Sequence, residues 1–558
     1  VISFLEIEVS MRVPALCIAL AGIFQAAAQP VITPRGVSNS ASFAPYGVPG
    51  GPIARGSTFS IFGTGLGPAA TAQQPSYPLQ TSIGGVSVKI TQGNVAVDAL
   101  PVFVADTIVS AIMPSSAPLG LVSVRVTYNG QTSHPQTARV VNSNPGLFTS
   151  TGFGIGPGSI QNLSGNLAPL NSPMLSATPG QFVTLWANGL GPISVADSGT
   201  PPVGNLPFQV EIWVGGVAVT NIAYSGRTPC CAGIDQIVFQ IPGNAPAGCY
   251  VPVVVRVAGT QVSNTVSMSI DPGGAGCSDS FNPLSLAAVT GGNMAAVVLA
   301  HETYTEDWLI SPAQTIVTDQ AIAYFGNYPG GAYGFNPFIA LPPPGSCTTI
   351  VTSDGPDFAA GRTPSKDLTA GTLSVAPSSG SPMMMQSITE GVRYDFGLFG
   401  LTPALAGTGP IPMFYGPGNY KVTAAGSADV GQFSVTLAYS NGVSWTNRAS
   451  ASTVDRTQPL TLNWTGSGSV YVRGGNIDYP TNSAGEFICN VPSGSSSFTV
   501  PPYVLAPLPG TRMNYSNSQG YVEIHTLPSG SPQPIKATGL ATGAAWVDVI
   551  DRRSALFK

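Results

Sequence analysis

The sequence predicts an all-β protein. Three observations carry that reading: a duplicated unit, short β-branched runs between turn residues, and no sustained helical period. The duplication is the strongest. The segment from Arg55 to Pro68, ending Gly63-Thr64-Gly65-Leu66-Gly67-Pro68, recurs from Pro179 to Pro192, ending Ala187-Asn188-Gly189-Leu190-Gly191-Pro192. Gly65 and Gly189 thus stand 124 positions apart. Ile83-Gly84-Gly85-Val86 then matches Val214-Gly215-Gly216-Val217, Val109–Pro114 matches Ile237–Pro242, and Val124-Arg125-Val126 matches Val255-Arg256-Val257. Four blocks in one order define a repeated unit of about 120 residues.

Within each copy the runs read as strands. Phe59-Ser60-Ile61-Phe62, Val86-Ser87-Val88-Lys89-Ile90 and Val122-Ser123-Val124-Arg125-Val126 alternate or are rich in β-branched residues, and Gly, Pro and Asn bound them. No stretch combines a 3.6-residue period with an N-cap and a closing Gly. Short strands at this spacing in a unit of this size predict an immunoglobulin-like sandwich. Domain boundaries follow: an immunoglobulin-like domain over 29–145 and a second over 146–272. The boundary after it is Asp271-Pro272-Gly273-Gly274-Ala275-Gly276. Residues 278–558 lack a clear copy of the repeat but keep its grammar, in Ala428–Leu437, Leu460–Trp464 and Ser497–Val500. They predict one large or two smaller β domains, with Trp445 and Trp464 in the core of neighbouring strands.

Composition bounds the function. Of 558 residues, 67 are Gly and 52 Pro, and only 8 % are charged, against roughly a quarter in an average soluble chain. Apolar residues make up 43 %, enough to build cores rather than a disordered chain. Twenty Lys and Arg and a net charge of −5 exclude a protein held to nucleic acid through phosphate contacts.

The first 28 residues read as a secretory signal, with Met11 as the expected start. Met11-Arg12 supplies the basic end, Val13–Phe24 the apolar run, and Ala26-Ala27-Ala28 the small-residue cleavage site. That run is too short to span a bilayer, which takes about 20 apolar residues. Without Cys17, six cysteines remain: Cys230, Cys231, Cys249, Cys277, Cys347 and Cys489. An even number in an exported chain predicts disulfides. The expected partition is Cys347 with Cys489, and Cys230 and Cys231 pairing outward with Cys249 and Cys277 in an order the sequence leaves open.

Motifs for chemistry are sparse. Gly63-Thr64-Gly65-Leu66-Gly67 resembles a dinucleotide loop, but Pro68-Ala69-Ala70-Thr71 begins no helix to meet a pyrophosphate. His301-Glu302-Thr303-Tyr304-Thr305 starts like a zinc-protease motif but has Thr305 where the second histidine is needed, and His134, His301 and His525 are the only histidines. Glu302, Glu306 and Asp307 form the densest acidic cluster; paired carboxylates can run glycoside hydrolysis, but a solvated strand edge is the plainer reading. Asp354 with Asp357, and Asp548 with Asp551, offer oxygens to calcium without the spacing of a binding loop. The sequence therefore predicts no catalytic, cofactor or metal residues. The richest run is Tyr324 to Phe338, in which Tyr324, Phe325, Tyr328, Tyr333, Phe335 and Phe338 stand among Gly, Asn and Pro. Aromatics on a β loop can stack on sugars or anchor a protein partner; the plainer reading is core under a long loop.

A resemblance adds to this. Gly36-Val37-Ser38-Asn39-Ser40-Ala41-Ser42-Phe43, the repeated Gly-Leu-Gly-Pro turn, Val214-Gly215-Gly216-Val217, Cys230-Cys231-Ala232-Gly233-Ile234-Asp235-Gln236-Ile237 and Ala247-Gly248-Cys249-Tyr250-Val251-Pro252-Val253 form one pattern. Over about residues 36–272 it resembles the uncharacterised secreted domain family of acidobacterial (Solibacter-type) exported proteins, a pair of immunoglobulin-like IPT/TIG-type domains. The resemblance implies fold and export and transfers no catalytic residue.

Together these readings predict an exported, non-enzymatic, multi-domain β protein acting as an extracellular binding, adhesion or structural module, secreted or at the cell surface, with the periplasm also open. Its expected partner is a polysaccharide or another surface protein. No cofactor is expected, and no transmembrane helix after signal cleavage. The alternative is an extracellular polysaccharide-acting enzyme with its site in 278–558. The body is expected to rest on apolar side chains and cystines, with no polar machinery inside it.

Overall fold

The computed structural model describes residues 29–558 apart from 75, 283, 286–289, 307–313, 331–339, 354–365, 388–392, 402–412 and 512–517. The first sandwich sets a sheet containing Val31–Asn39, Thr58–Thr64, Ile108–Ile112 and Leu100–Val104 against one containing Gln136–Val141, Gly120–Tyr128 and Val86–Gln92. Strand alternation decides which side chains meet. Val86, Val88 and Ile90 are buried while Lys89 is exposed, and Val122, Val124 and Val126 are buried opposite them. Phe59 and Ile61 fill the same core from the facing sheet.

The second sandwich repeats this plan. Phe182–Asn188 pairs with Asp235–Gln240 as Thr58–Thr64 pairs with Ile108–Ile112. Val210–Val214 pairs with Gly248–Val257 as Val86–Gln92 pairs with Gly120–Tyr128. Each duplicated Gly-Gly closes a two-residue hairpin, with Ile83 opposite Val86 and Val214 opposite Val217. Gly84, Gly85, Gly215 and Gly216 all have positive φ, from 55° to 84°, the conformation such turns require and a Cβ resists.

From Gly292 onward most of the described strands form one fourteen-stranded sheet, with a three-stranded and a two-stranded sheet beside it. At its centre Gly292–Glu306 pairs antiparallel with Gln314–Tyr328 and parallel with Thr542–Ser554. The sheet serves two cores. One gathers Val297, Leu299, Phe325, Val422, Leu437 and Val547. The other gathers Val472, Phe487, Val522 and Ile524 under the small sheet that carries Trp445 and Trp464, which face each other across paired strands and are buried.

The cystines are Cys249–Cys277, Cys347–Cys489 and Cys230–Cys231. The last corrects the outward pairing expected for Cys230 and Cys231. Their loop, between Ile222–Arg227 and Asp235–Gln240, leans on the first sandwich at Thr58 and Ile112. Cys249 opens the strand Gly248–Val257 in the other sheet and packs toward Met294 and Ala544 of the large sheet, so it meets Cys277 of the linker instead. No described helix is long and apolar enough to cross a membrane.

Candidate functional site

The aromatic run does not lie in a loop where the structure describes it. Tyr324, Phe325 and Tyr328 sit in the last residues of the strand Gln314–Tyr328, and alternation sends Phe325 to the face opposite Tyr324 and Tyr328. Phe325 points into the core, 1 % exposed, with its ring 6.1 Å from that of Phe433. Tyr324 is 41 % exposed. Tyr328 packs beside Met294, Ala296 and Trp546 against the Cys249–Cys277 cystine and Tyr250, and burial raises its phenol pKa. Tyr333, Phe335 and Phe338 lie outside the described residues.

The sequence reading missed a lattice of charge on one face of the large sheet. Register builds it. Arg473 stands opposite Glu523, Tyr471 opposite His525, and Glu523 opposite Arg552, while Tyr304 is level with Arg552 on the parallel neighbour. His525, 1 % exposed, donates from Nδ1 to Asp548 Oδ2 at 2.9 Å and from Nε2 to Glu523 Oε2 at 2.9 Å. The Tyr471 hydroxyl also donates to Asp548, and its ring stacks on the imidazole at 4.2 Å. Arg552 Nη1 lies 3.4 Å from Glu523 and 3.5 Å from Glu302. Its guanidinium covers the rings of Tyr304 at 5.0 Å and Tyr521 at 4.6 Å. Arg473 holds Glu486 through Nε at 2.8 Å.

The electrostatics follow from these contacts. Burial works against a charged His525, but the charge and hydrogen bonds of Asp548 and Glu523 outweigh it and lift its pKa to about 9. Burial likewise opposes ionisation of Glu523, yet His525, Arg473 and Arg552 bring it down to about 2. Burial raises Glu302 despite Arg552. The expectation of an interior without polar machinery is therefore corrected.

Glu302 is not on a solvated strand edge either, since Gly292–Glu306 is flanked on both sides. The side chain of Glu306, with Asp307, lies outside what the structure describes. Asp548 and Asp551 do not converge on an ion: Asp548 faces His525, whereas Asp551 pairs with Arg448 at 2.9 Å. Asp354 and Asp357 lie outside the described residues. His301 donates to Asp319 at 2.6 Å, and Asp319 also accepts the Tyr415 N–H at 2.7 Å. Among the described carboxylates, Glu302 lies against Arg552, Asp548 against His525 and the Tyr471 hydroxyl, and Asp551 against Arg448. Among the described residues no group of three His, Cys, Asp or Glu could hold a metal ion.

A second constellation joins the two sandwiches. Arg227, 2 % exposed, reaches the carbonyl of Gly56 in the first sandwich and that of Gly191 at 2.9 Å. Its partner Asp235 is fully buried at 3.3 Å and accepts the Leu190 N–H at 2.8 Å. Burial pushes the Asp235 carboxyl up to about 6 against the pull of Arg227 and that N–H. Asn188 donates to Thr58 O and Oγ1 at 2.9 Å, and Asp197 accepts from Ser115 N at 2.7 Å and Oγ at 2.8 Å. Ala232 packs against Leu79, Leu100 and Ile112. The second Gly-Leu-Gly-Pro turn, Gly189–Pro192, and the Cys-Cys-Ala-Gly-Ile-Asp run thus form the joint with Gly56, Thr58 and Ile112 of the first sandwich. The third body docks as well: Trp213 stacks on Tyr503 at 4.5 Å, and Arg35 donates to Pro480 O at 2.6 Å.

Residues 45–140 match the model of the IPT/TIG domain family. No curated protein matches the chain. Among solved structures, a tetra-tandem repeat in the extending region of a large adhesion protein shares 12 % identity over 94 % of this chain and 99 % of its own, with a TM-score of 0.13. SGBP-B from a complex xyloglucan utilization locus in Bacteroides uniformis shares 11 % over 66 % of this chain and 86 % of its own, with a TM-score of 0.16. Domains 5-6 of the S-layer protein SbsC share 12 % over 43 % and 98 %, also at 0.16.

Proposed function

We propose that this is an exported, non-enzymatic binding or structural protein in which two IPT/TIG-type sandwiches form a rigid mount for the large C-terminal β region. One observation carries the reading: the sandwiches meet through a buried polar joint, Arg227 and Asn188 reaching Gly56 and Thr58, rather than through a free linker. Fully desolvated contacts of this kind fix one orientation. The second sandwich shares strand pairing, hairpins and sequence blocks with the first, which supports a paired unit over 36–272; its assignment to the acidobacterial secreted type rests on the residue pattern of the sequence. The leader-like segment 1–28 supports an extracellular or cell-surface location.

The face that presents Tyr324 is the proposed contact surface, and a neutral polysaccharide suits it, because an exposed aromatic ring stacks on sugar faces without needing charge. Glycan-array binding of the full chain, compared with Tyr324→Ala, tests this. The expected outcome is a defined set of bound glycans, with affinity falling roughly two- to tenfold in the variant. Absence of binding to any glycan, or binding indifferent to Tyr324→Ala, removes the sugar assignment and leaves a surface protein as the partner.

A further inference from the structure

The three cystines differ in what they close. Cys249–Cys277 and Cys347–Cys489 span 28 and 142 positions, and in each at least one sulfur-bearing residue is buried. Cys230–Cys231 spans a single peptide bond. It closes no chain loop, so it does not restrain the unfolded state as the others do. Cys230 is exposed and Cys231 half-buried, so the cystine stands at the surface, with the Thr228 hydroxyl 3.1 Å from Cys230 Sγ. The residues just beyond it are the plug of the joint. Ala232 is buried among Leu79, Leu100 and Ile112. Gly233 has φ +71°, and a Cβ on it would stand 2.7 Å from Thr58 Cγ2 and 2.8 Å from Ile112 Cγ1. The Ile234 N–H donates to Cys231 O at 3.2 Å, closing the turn over the cystine.

We infer that Cys230–Cys231 is a reducible latch on the joint between the two sandwiches, acted on by an external dithiol. The dithiol's thiolate attacks the sulfur of Cys230, the Cys230–Cys231 bond breaks, and Cys231 leaves as a thiolate that takes up a proton. The second thiol of the reductant then resolves the mixed disulfide and departs oxidised, leaving two cysteine thiols. Opening the small ring returns rotational freedom to the peptide between the two residues and loosens the turn that seats Ala232 and Gly233. Arg227 and Asp235 flank this turn and remain paired, so the joint loosens without the sandwiches unfolding.

The test is a titration of the full oxidised chain with dithiothreitol, using alkylation mass spectrometry to locate each reduced pair and amide hydrogen exchange to follow the joint. Cys230 and Cys231 are expected to be alkylated at least about tenfold faster than the other four, as exposed sulfurs are. Exchange at Ala232, Gly233 and Ile234 is expected to rise about tenfold, local opening being set by local free energy. Cys230→Ser with Cys231→Ser should show the same fast exchange without reductant and keep the unfolding midpoint of the parent. Reduction of Cys249–Cys277 first, or alkylation of Cys230 and Cys231 with unchanged exchange at the joint, overturns the proposal. The reductant arm does not depend on how the double variant folds.

Discussion

His525 holds its proton between Asp548 and Glu523 on a face where histidine alone would be neutral. Its folded pKa of about 9 lies above the ordinary 6.5. The stability it contributes is therefore fully present below about pH 6.5 and is lost as pH rises through about 9. On the order of 3 kcal/mol is at stake, at roughly 1.4 kcal/mol per unit. Thermal unfolding from pH 6 to 10 should show the midpoint falling across that window in the parent and much less in His525→Gln. At the joint, Arg227→Ala leaves Asp235 buried without its cation. Breaking a buried pair in this way costs about 3–5 kcal/mol, and urea unfolding monitored at the second sandwich should register it. None of this lattice was legible in the sequence. Glu302 and Arg552 are 250 positions apart but 3.5 Å apart in the fold, and only the parallel register of their strands brings them together.

At the scale of elements, the repeat was legible because turn chemistry is local. Glycine tolerates the positive φ that a two-residue hairpin requires, so the Gly-Gly of Ile83–Val86 recurs in Val214–Val217, whereas Gly474-Gly475 lies inside the strand Ser469–Asp478 without positive φ. Strand faces were legible in the same way, from alternation in Val86–Ile90. The aromatic run was not. Its Gly, Asn and Pro content reads as loop, whereas Tyr324–Tyr328 completes a fifteen-residue strand whose long pairing with Gly292–Glu306 overrides the turn residues. The adjacent cysteines were misread because connectivity depends on which sheet end a loop occupies, and sequence spacing does not carry that. The cystines that close chain loops should separate by loop length. Replacing Cys347 and Cys489 with Ala should cost about 5 kcal/mol, and replacing Cys249 and Cys277 about 3–4 kcal/mol. Guanidinium unfolding midpoints under oxidising conditions would rank the two pairs.

At the scale of the molecule, the three bodies contact one another through specific groups. Arg227 and Asn188 bind the first sandwich, Trp213 and Cys249 meet the C-terminal region, and Arg35 reaches it from the first sandwich. Relative motion of domains is the default when interfaces are small and polar. Here each cross-body hydrogen bond adds roughly 0.5–1.5 kcal/mol net over its exchange for water, and the packing of Ala232 on Leu79, Leu100 and Ile112 and of Trp213 on Tyr503 adds to them, so the arrangement is held. The function proposed for the protein depends on that rigidity, because a mount that bends freely cannot present a surface in one orientation.

Small-angle X-ray scattering of the oxidised full chain at pH 7 measures this directly. A rigid mount gives the profile of a single particle of fixed dimensions, unchanged between low and high salt. A profile of independently tumbling beads on a flexible string would contradict it.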